Sequence, residues 1–158
     1  RVLGPPGVRV SFVAGGYRHP VHAERAAKTT LSSTSAAPSE ARRFVRDSLF
    51  AWGHRPLVGS AQLLVSELGT NAVVHGGPGE IVVFLAVDHD RVRIEVIDGN
   101  VAAMPQLRPP PHDESSRGLH IVDALASSWG YAPAADRHDR KVVWCELELE
   151  FAEAQGPQ

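Results

Sequence analysis

A glycine-rich turn, Gly76-Gly77-Pro78-Gly79, divides the centre of the chain into a helical part and a strand part. Residues 57–75 carry an apolar stripe at helical spacing, made of Ala61, Leu64, Leu68 and Ala72. Residues 80–87 and 91–97 then show two strand patterns joined by a short polar turn. Because the glycines end the helix abruptly, we expect one long helix followed by an antiparallel hairpin.

Weaker patterns extend this core in both directions. We expect a short strand within residues 8–13, an edge strand over 26–35, a helix from Pro38 to Gly53, a short helix over 117–126, and strands over 129–132 and 141–151. Helices and strands are segregated along the chain, without βαβ repetition. This order predicts an α+β fold, a two-layer sandwich in which about three helices cover one face of a mostly antiparallel mixed sheet.

Charge and composition exclude several classes of function. The 158 residues carry a formal net charge of −2, so we expect no direct contact with nucleic acid or an anionic membrane. The longest apolar run, Ile81 to Val87, is far shorter than the ~20 residues that span a bilayer. A lone cysteine and an N-terminus unlike a signal peptide favour a cytoplasmic location. The only methionine is Met104, so we expect the native start to lie upstream.

Three polar residues repeat on one side of the long helix. Glu67, Asn71 and His75 lie at i, i+4 and i+8, beside the apolar stripe. A carboxylate and a carboxamide one turn apart offer the oxygen ligands that Mg²⁺ prefers. The carboxylate could also polarise a hydroxyl or water that attacks a phosphate. A solvated polar face would give the same pattern, so this helix alone does not decide the function.

The dipeptide Asp98-Gly99 ends the second strand of the hairpin. An Asp at a buried strand end can accept a hydrogen bond from an exocyclic amine, and the following Gly lets a flat ring approach the backbone. An ordinary Asp-Gly turn is the alternative.

A proline-containing loop, residues 101–116, then enters a helix at Ser116-Arg117-Gly118. Free backbone N–H groups and the helix dipole at such a start favour a phosphate, and Arg117 adds a cation. A helix that is simply capped by a serine is the alternative.

The order of these motifs resembles the Bergerat-fold ATP-binding family. A Glu-Leu-x-x-Asn-Ala-x-x-His helix precedes two strands ending in Asp-Gly, a lid-like loop and a Gly-Leu helix start. That family includes histidine kinases, type II topoisomerases and the anti-sigma-factor serine kinases of bacteria. The small size and compact layout look most like the last branch. The resemblance covers about residues 36–150.

The resemblance implies a role for each motif. Asn71 would ligate a Mg²⁺ that bridges the ATP phosphates, and Glu67 would be the general base. Asp98 would recognise the adenine amine, and Gly99 would admit the base. Residues 101–116 would form the ATP lid. The residues expected near the phosphates are His75, Arg117, Gly118, Leu119 and His120. For His75, a structural role at the helix end is an equal alternative.

The resemblance also implies an activity and its partners. A serine/threonine kinase of this branch would phosphorylate an anti-anti-sigma partner and bind a sigma factor. The alternative is a module that binds ATP and sequesters a partner without transferring phosphate. Asn100 and His120 stand where the family often has glycine, which favours this module, whereas the presence of Glu67 favours the kinase.

The domain boundaries follow from the same reading. We expect a flexible tail over residues 1–25, one ATP-binding domain over 26–152, and a C-terminal tail over 153–158. Exposed residues of the first tail and first helix are candidates for a homodimer contact.

Two other functions are disfavoured. No segment before residue 38 has the length of a histidine kinase's dimerising hairpin, which argues against a histidine-kinase core. His19 and His22 lie in a proline-containing segment that argues against a metal hydrolase.

Overall fold

The structure, a computed structural model, describes residues 9–10, 23–99, 121–122, 124–134 and 140–149. Within these residues the strands are β1 (Arg9–Val10), β2 (Arg25–Ser32), β3 (Glu80–Val87), β4 (Arg91–Asp98), β5 (Ser128–Pro133) and β6 (Lys141–Glu148). The helices are α1 (Ala37–Ala51) and α2 (Val58–His75). A single 3-10 turn, Arg55–Leu57, leads into α2.

The six strands form one mixed sheet in the order β1-β5-β6-β4-β3-β2. Only β1 and β5 run parallel, and the other four pairings of the sheet are antiparallel. The predicted edge strand is confirmed, because β2 lies at one end of the described strand order and pairs there with β3. The short strand expected within residues 8–13 is confirmed at Arg9–Val10.

The two helices pack on each other and on one face of the sheet, which confirms the α+β class. Helix α2 contacts β4 and β6, and α1 contacts β2. Alternate strand residues meet the helices in one core, which includes Val83, Leu85, Val92, Ile94, Val96, Val143 and Cys145. The short helix expected over 117–126 is confirmed at residues 121–122 and 124–125, and Val122 is buried in the same core.

Helix α2 is more apolar than α1. All four residues of its predicted stripe are fully buried, and Val65 and Gly69 join them. By length and composition the stretch Arg55–His75 could also cross a membrane. In this fold, however, its buried face packs against α1 and the sheet, as the central helix of a globular domain does.

The opposite face of the sheet carries a second, partly charged cluster. Alternation places Arg93 and Glu95 there, as predicted. Glu95 is nonetheless fully buried and forms an ion pair with Arg93, with 3.4 Å between Oε2 and Nε. The Arg93 guanidinium also lies 4.1 Å from the ring centroid of the buried Trp144. This face is therefore partly buried and is not a fully solvated surface.

The last strand is shorter than its alternation predicts. The pattern extends to Phe151, whereas β6 ends at Glu148. The reason is that β4 begins at Arg91, which pairs with Glu148, so no β4 residue remains for a further pair. The next residue, Leu149, instead donates its backbone N–H to the Asp90 carbonyl oxygen, 3.0 Å away.

Candidate functional site

The polar side of α2 lies at the boundary between the core and the surface. Asn71 is a buried polar residue, 9% exposed, directly beside the buried Ala72. Glu67, one turn earlier, is half-buried, and Thr70 is exposed. His75 is half-buried and ends the helix. The face predicted from the spacing therefore exists, but it is less solvated than an ordinary polar face.

A close contact joins the end of α2 to the end of β4. The backbone N–H of Gly76 donates to the Ala72 carbonyl oxygen at 2.8 Å, which prolongs the helix by one bond. A Cβ atom at Gly76 would lie 2.7 Å from Asp98 Cβ and 2.8 Å from Asp98 Cγ. Only glycine allows this approach. Asn71 and Asp98 are 27 positions apart in the sequence. The helix that carries Asn71 nevertheless ends directly beside Asp98, so the two motifs are neighbours in space.

Asp98 is buried and paired with a buried lysine. The carboxylate residue is 2% exposed and Lys141 is 0% exposed. The two residues lie opposite each other in the β4–β6 ladder. Their Nζ and Oδ2 atoms are 3.4 Å apart. Burial lowers the pKa of Lys141 below its usual value of 10.5, and the charge of Asp98 opposes part of that shift.

Comparison with known protein families matches residues 31–144 to the histidine kinase-like ATPase domain. The chain belongs to this family. The matched range contains α1, α2 and the strands β3 to β5, together with Asp98 and Lys141. No curated protein matches the chain significantly. Membership of the histidine kinase-like ATPase family supports ATP binding, and it agrees with the α+β layout of the fold.

Several predicted site residues of the ATPase domain lie outside the described residues. They are the four positions expected to hold phosphate, Arg117, Gly118, Leu119 and His120, together with the loop 101–116 expected to form the lid. Their roles stay predictions. Gly99 is described and exposed, and a Cβ atom there would meet only the Gly76 carbonyl oxygen, at 3.8 Å, among the atoms within 4 Å.

Sequence reasoning about the ATPase domain missed Lys141. A signal was available, because the alternation that turns Cys145 and Leu147 inward also turns Val143 and Lys141 inward. A lysine at an inward position of an apolar strand needs a buried partner. Sequence reasoning also missed Gly76 as a packing residue. A glycine after a helix is ordinarily explained by its ability to end the helix.

Two hydrogen bonds join α1 to α2 near Glu67. The Arg42 guanidinium donates to Ser66 Oγ, with 2.7 Å between Nη1 and the oxygen. Gln62 Nε2 donates to the Arg42 carbonyl oxygen at 3.2 Å. One turn further along α2, a Cβ atom at Gly69 would be 3.6 Å from Pro38 Cα, so the helices also approach closely there. These contacts hold α2 against α1.

Proposed function

We propose that the chain is a cytoplasmic, magnesium-dependent serine/threonine kinase of the anti-sigma-factor type. The observation that carries this proposal is the contact of α2 with Asp98 through Gly76. It brings a face with oxygen ligands next to a buried carboxylate at a strand end. Such a site can hold the two ends of one nucleotide, its base and its phosphates.

The base end of the proposed site is Asp98. Its carboxylate is buried at the end of β4, beside the exposed Gly99. In the proposed complex one carboxylate oxygen accepts a hydrogen bond from the 6-amino group of adenine. A buried carboxylate suits this task, because a hydrogen bond gains specificity where water is excluded.

The phosphate end of the proposed site is the polar side of α2. The side-chain oxygen of Asn71 is a hard ligand of the kind Mg²⁺ accepts alongside water and phosphate oxygens. The burial of Asn71 fits a ligand held in place by the helix rather than a mobile surface amide. When bound, Mg²⁺ would neutralise the charge that develops on the phosphates. In the proposed arrangement, His75 would approach the phosphates from α2. Arg117 would approach them from the lid.

Glu67 supplies the general base in the proposed reaction. The serine or threonine oxygen of the partner attacks the γ-phosphorus, and the bond to the β,γ-bridging oxygen breaks, so that ADP leaves. Glu67 takes the hydroxyl proton. Its half-buried position one turn before Asn71 places the carboxylate on the same side of the helix as the proposed metal ligand.

The second candidate is an ATP-binding module that sequesters a sigma factor or another protein without phosphate transfer. The observation favouring it is that Asn100 and His120 replace glycines often found in the family, which would crowd a backbone-lined pocket. In either case the partners are proteins, an anti-anti-sigma-type protein and a sigma factor, with nucleic acid reached only through them.

Phosphate transfer separates the two candidates. The purified chain is incubated with γ-³²P-ATP, Mg²⁺ and a panel of small anti-anti-sigma-type proteins. The kinase proposal expects label on a serine or threonine of one of them, and loss of that label with Glu67→Gln. Glu40→Gln, an exposed carboxylate in the first turn of α1, is the matched control. Wild type that binds ATP and labels no protein would support the module instead.

A further inference from the structure

Lys141 is a buried lysine in a row of otherwise apolar side chains. It is the first residue of β6, it faces the helices, and it is fully buried. The inward neighbours on the same strand are Val143 and Cys145, both in the apolar core. A lysine would ordinarily extend its charged end to water. Here the ammonium instead lies 3.4 Å from the carboxylate of Asp98.

A buried ion pair is a poor device for stability alone. Removing two charges from water costs several kcal/mol per ion, and well-packed apolar residues of similar volume often serve as well or better. The ion pair of Asp98 and Lys141 therefore indicates a role other than stabilising the fold. Its position supplies one, because Asp98 is the residue proposed to meet the nucleotide base.

The charge state of Asp98 decides what base it can recognise. An ionised carboxylate only accepts hydrogen bonds, whereas a protonated one also donates. Adenine presents a 6-amino donor, and hypoxanthine presents a 6-oxo acceptor at the same place. A carboxylate buried without a cation tends to take up a proton. The nearby ammonium opposes this and keeps the acceptor form.

We propose that Lys141 is a positioning residue that makes the base site selective for 6-amino purine nucleotides over 6-oxo purine nucleotides, acting through Asp98. The inference rests on the proposed function, since it requires Asp98 to meet the base. Lys141 itself need not touch the nucleotide. It engages Oδ2 from the β6 side, and Gly76 packs against the carboxylate from the α2 side, so the carboxylate has a fixed orientation.

The test compares the affinities of ATP and ITP, which differ at position 6 and in the protonation of N1. Both are measured in the presence of Mg²⁺, by displacement of a fluorescent ATP analogue. Wild type is expected to prefer ATP by at least about 100-fold, because sites that hydrogen-bond a substrate group reject the analogue lacking it.

The variants test the role of Lys141 in this preference. Lys141→Met should reduce the preference for ATP over ITP at least tenfold. Asp98→Asn should do the same, since an amide can also donate to the 6-oxo group. Lys28→Met, on the exposed edge strand β2, should leave the preference unchanged.

A purely structural role for Lys141 would weaken both nucleotides equally. An unchanged preference in folded Lys141→Met would therefore overturn the inference. If that single variant does not fold, Lys141→Gln, which removes the charge and keeps a polar side chain at the same buried position, decides instead. It should show the reduced preference, and a preference equal to that of wild type would overturn the inference. Wild type that binds neither nucleotide would overturn the proposed function first, and the inference with it.

Discussion

At the scale of single residues, the described part of the chain buries four polar or charged side chains, Asn71, Glu95, Asp98 and Lys141. Glu95 lies on the sheet face away from the helices, where it pairs with Arg93. The other three lie on the helix side. Buried polar groups are costly unless they are paired, so their concentration between α2 and the strand end argues for a site rather than for packing.

Replacement of Asn71 by alanine should remove the metal-dependent part of ATP binding. ATP affinity measured with Mg²⁺ should fall to the value measured without it, because the proposed oxygen ligand is gone. The fold should persist, since alanine favours a helix by up to ~0.7 kcal/mol over asparagine. Isothermal titration calorimetry and thermal unfolding measure both effects. The exposed neighbour Thr70, changed to alanine, is the control. Unchanged ATP affinity in Asn71→Ala would contradict the proposal that Asn71 is a ligand of Mg²⁺.

Replacement of Glu67 by alanine should separate binding from chemistry. Phosphate transfer should fall by about 10²–10⁴-fold, the usual loss when a general base is removed. ATP affinity should stay within a factor of a few, because the proposed role of the carboxylate is to take a proton in the transition state. Single-turnover labelling of the partner gives the rate. Equal rates for wild type and variant would show that another group removes the proton.

At the scale of elements, the decisive feature is the junction of α2 with β4. Gly76 has an ordinary helical backbone, with φ −82°, so its requirement for glycine comes from crowding by Asp98 and by the Ala72 carbonyl oxygen. The two glycines with positive φ in the following turn are Gly77 and Gly79. The turn therefore uses its glycines for two different purposes, close packing first and chain reversal second.

Gly76→Ala should destabilise the domain by about 1–3 kcal/mol, the usual cost of inserting a methyl group into a packed site. Gly59→Ala is the matched control within α2, because a Cβ atom there meets no atom within 4 Å. That change should stabilise by about 0.5–1 kcal/mol through helix propensity. Urea denaturation at equal m-values measures both. A neutral Gly76→Ala would mean that the junction is looser than the structure shows.

The elements themselves were largely predictable. Periodicity placed α2, β3 and β4 within a residue or so, because each has a strong apolar repeat and a clear glycine or polar boundary. The contents of the junction were not predictable in the same way. Asp98 and Lys141 come together only because β4 and β6 pair in one register. Nothing local to either residue fixes that register. The end of β6 at Glu148 likewise depends on where β4 begins.

At the scale of the whole molecule, one hydrophobic core extends from the helices to β6. The reactivity of Cys145 measures how well this core excludes solvent. This thiol is fully buried within the central cluster. Burial raises the pKa of Cys145 from its ordinary 9.0 to about 12. The thiolate, which is the reactive form, is therefore suppressed in the folded chain by both inaccessibility and chemistry.

Cys145 should resist alkylation by iodoacetamide at pH 8 in the folded chain and react fully in urea. Above pH 9.0 the unfolded chain loses the thiol proton while the folded chain keeps it until about pH 12. The contribution of this group to stability therefore declines as pH rises through that window. Cys145→Ala should lessen the loss of stability over the same window. Rapid labelling of the native chain at pH 8 would contradict this description of the core.

In the proposed function, α2 and the end of β4 together form a site for a magnesium–nucleotide complex. Calorimetric titration of the wild-type chain with ATP, in matched buffers with Mg²⁺ and with a chelator, tests it most directly. We expect saturable binding of one ATP per chain, with a distinctly higher affinity in the buffer that contains Mg²⁺. No binding in either buffer, or equal affinity in both, would contradict it.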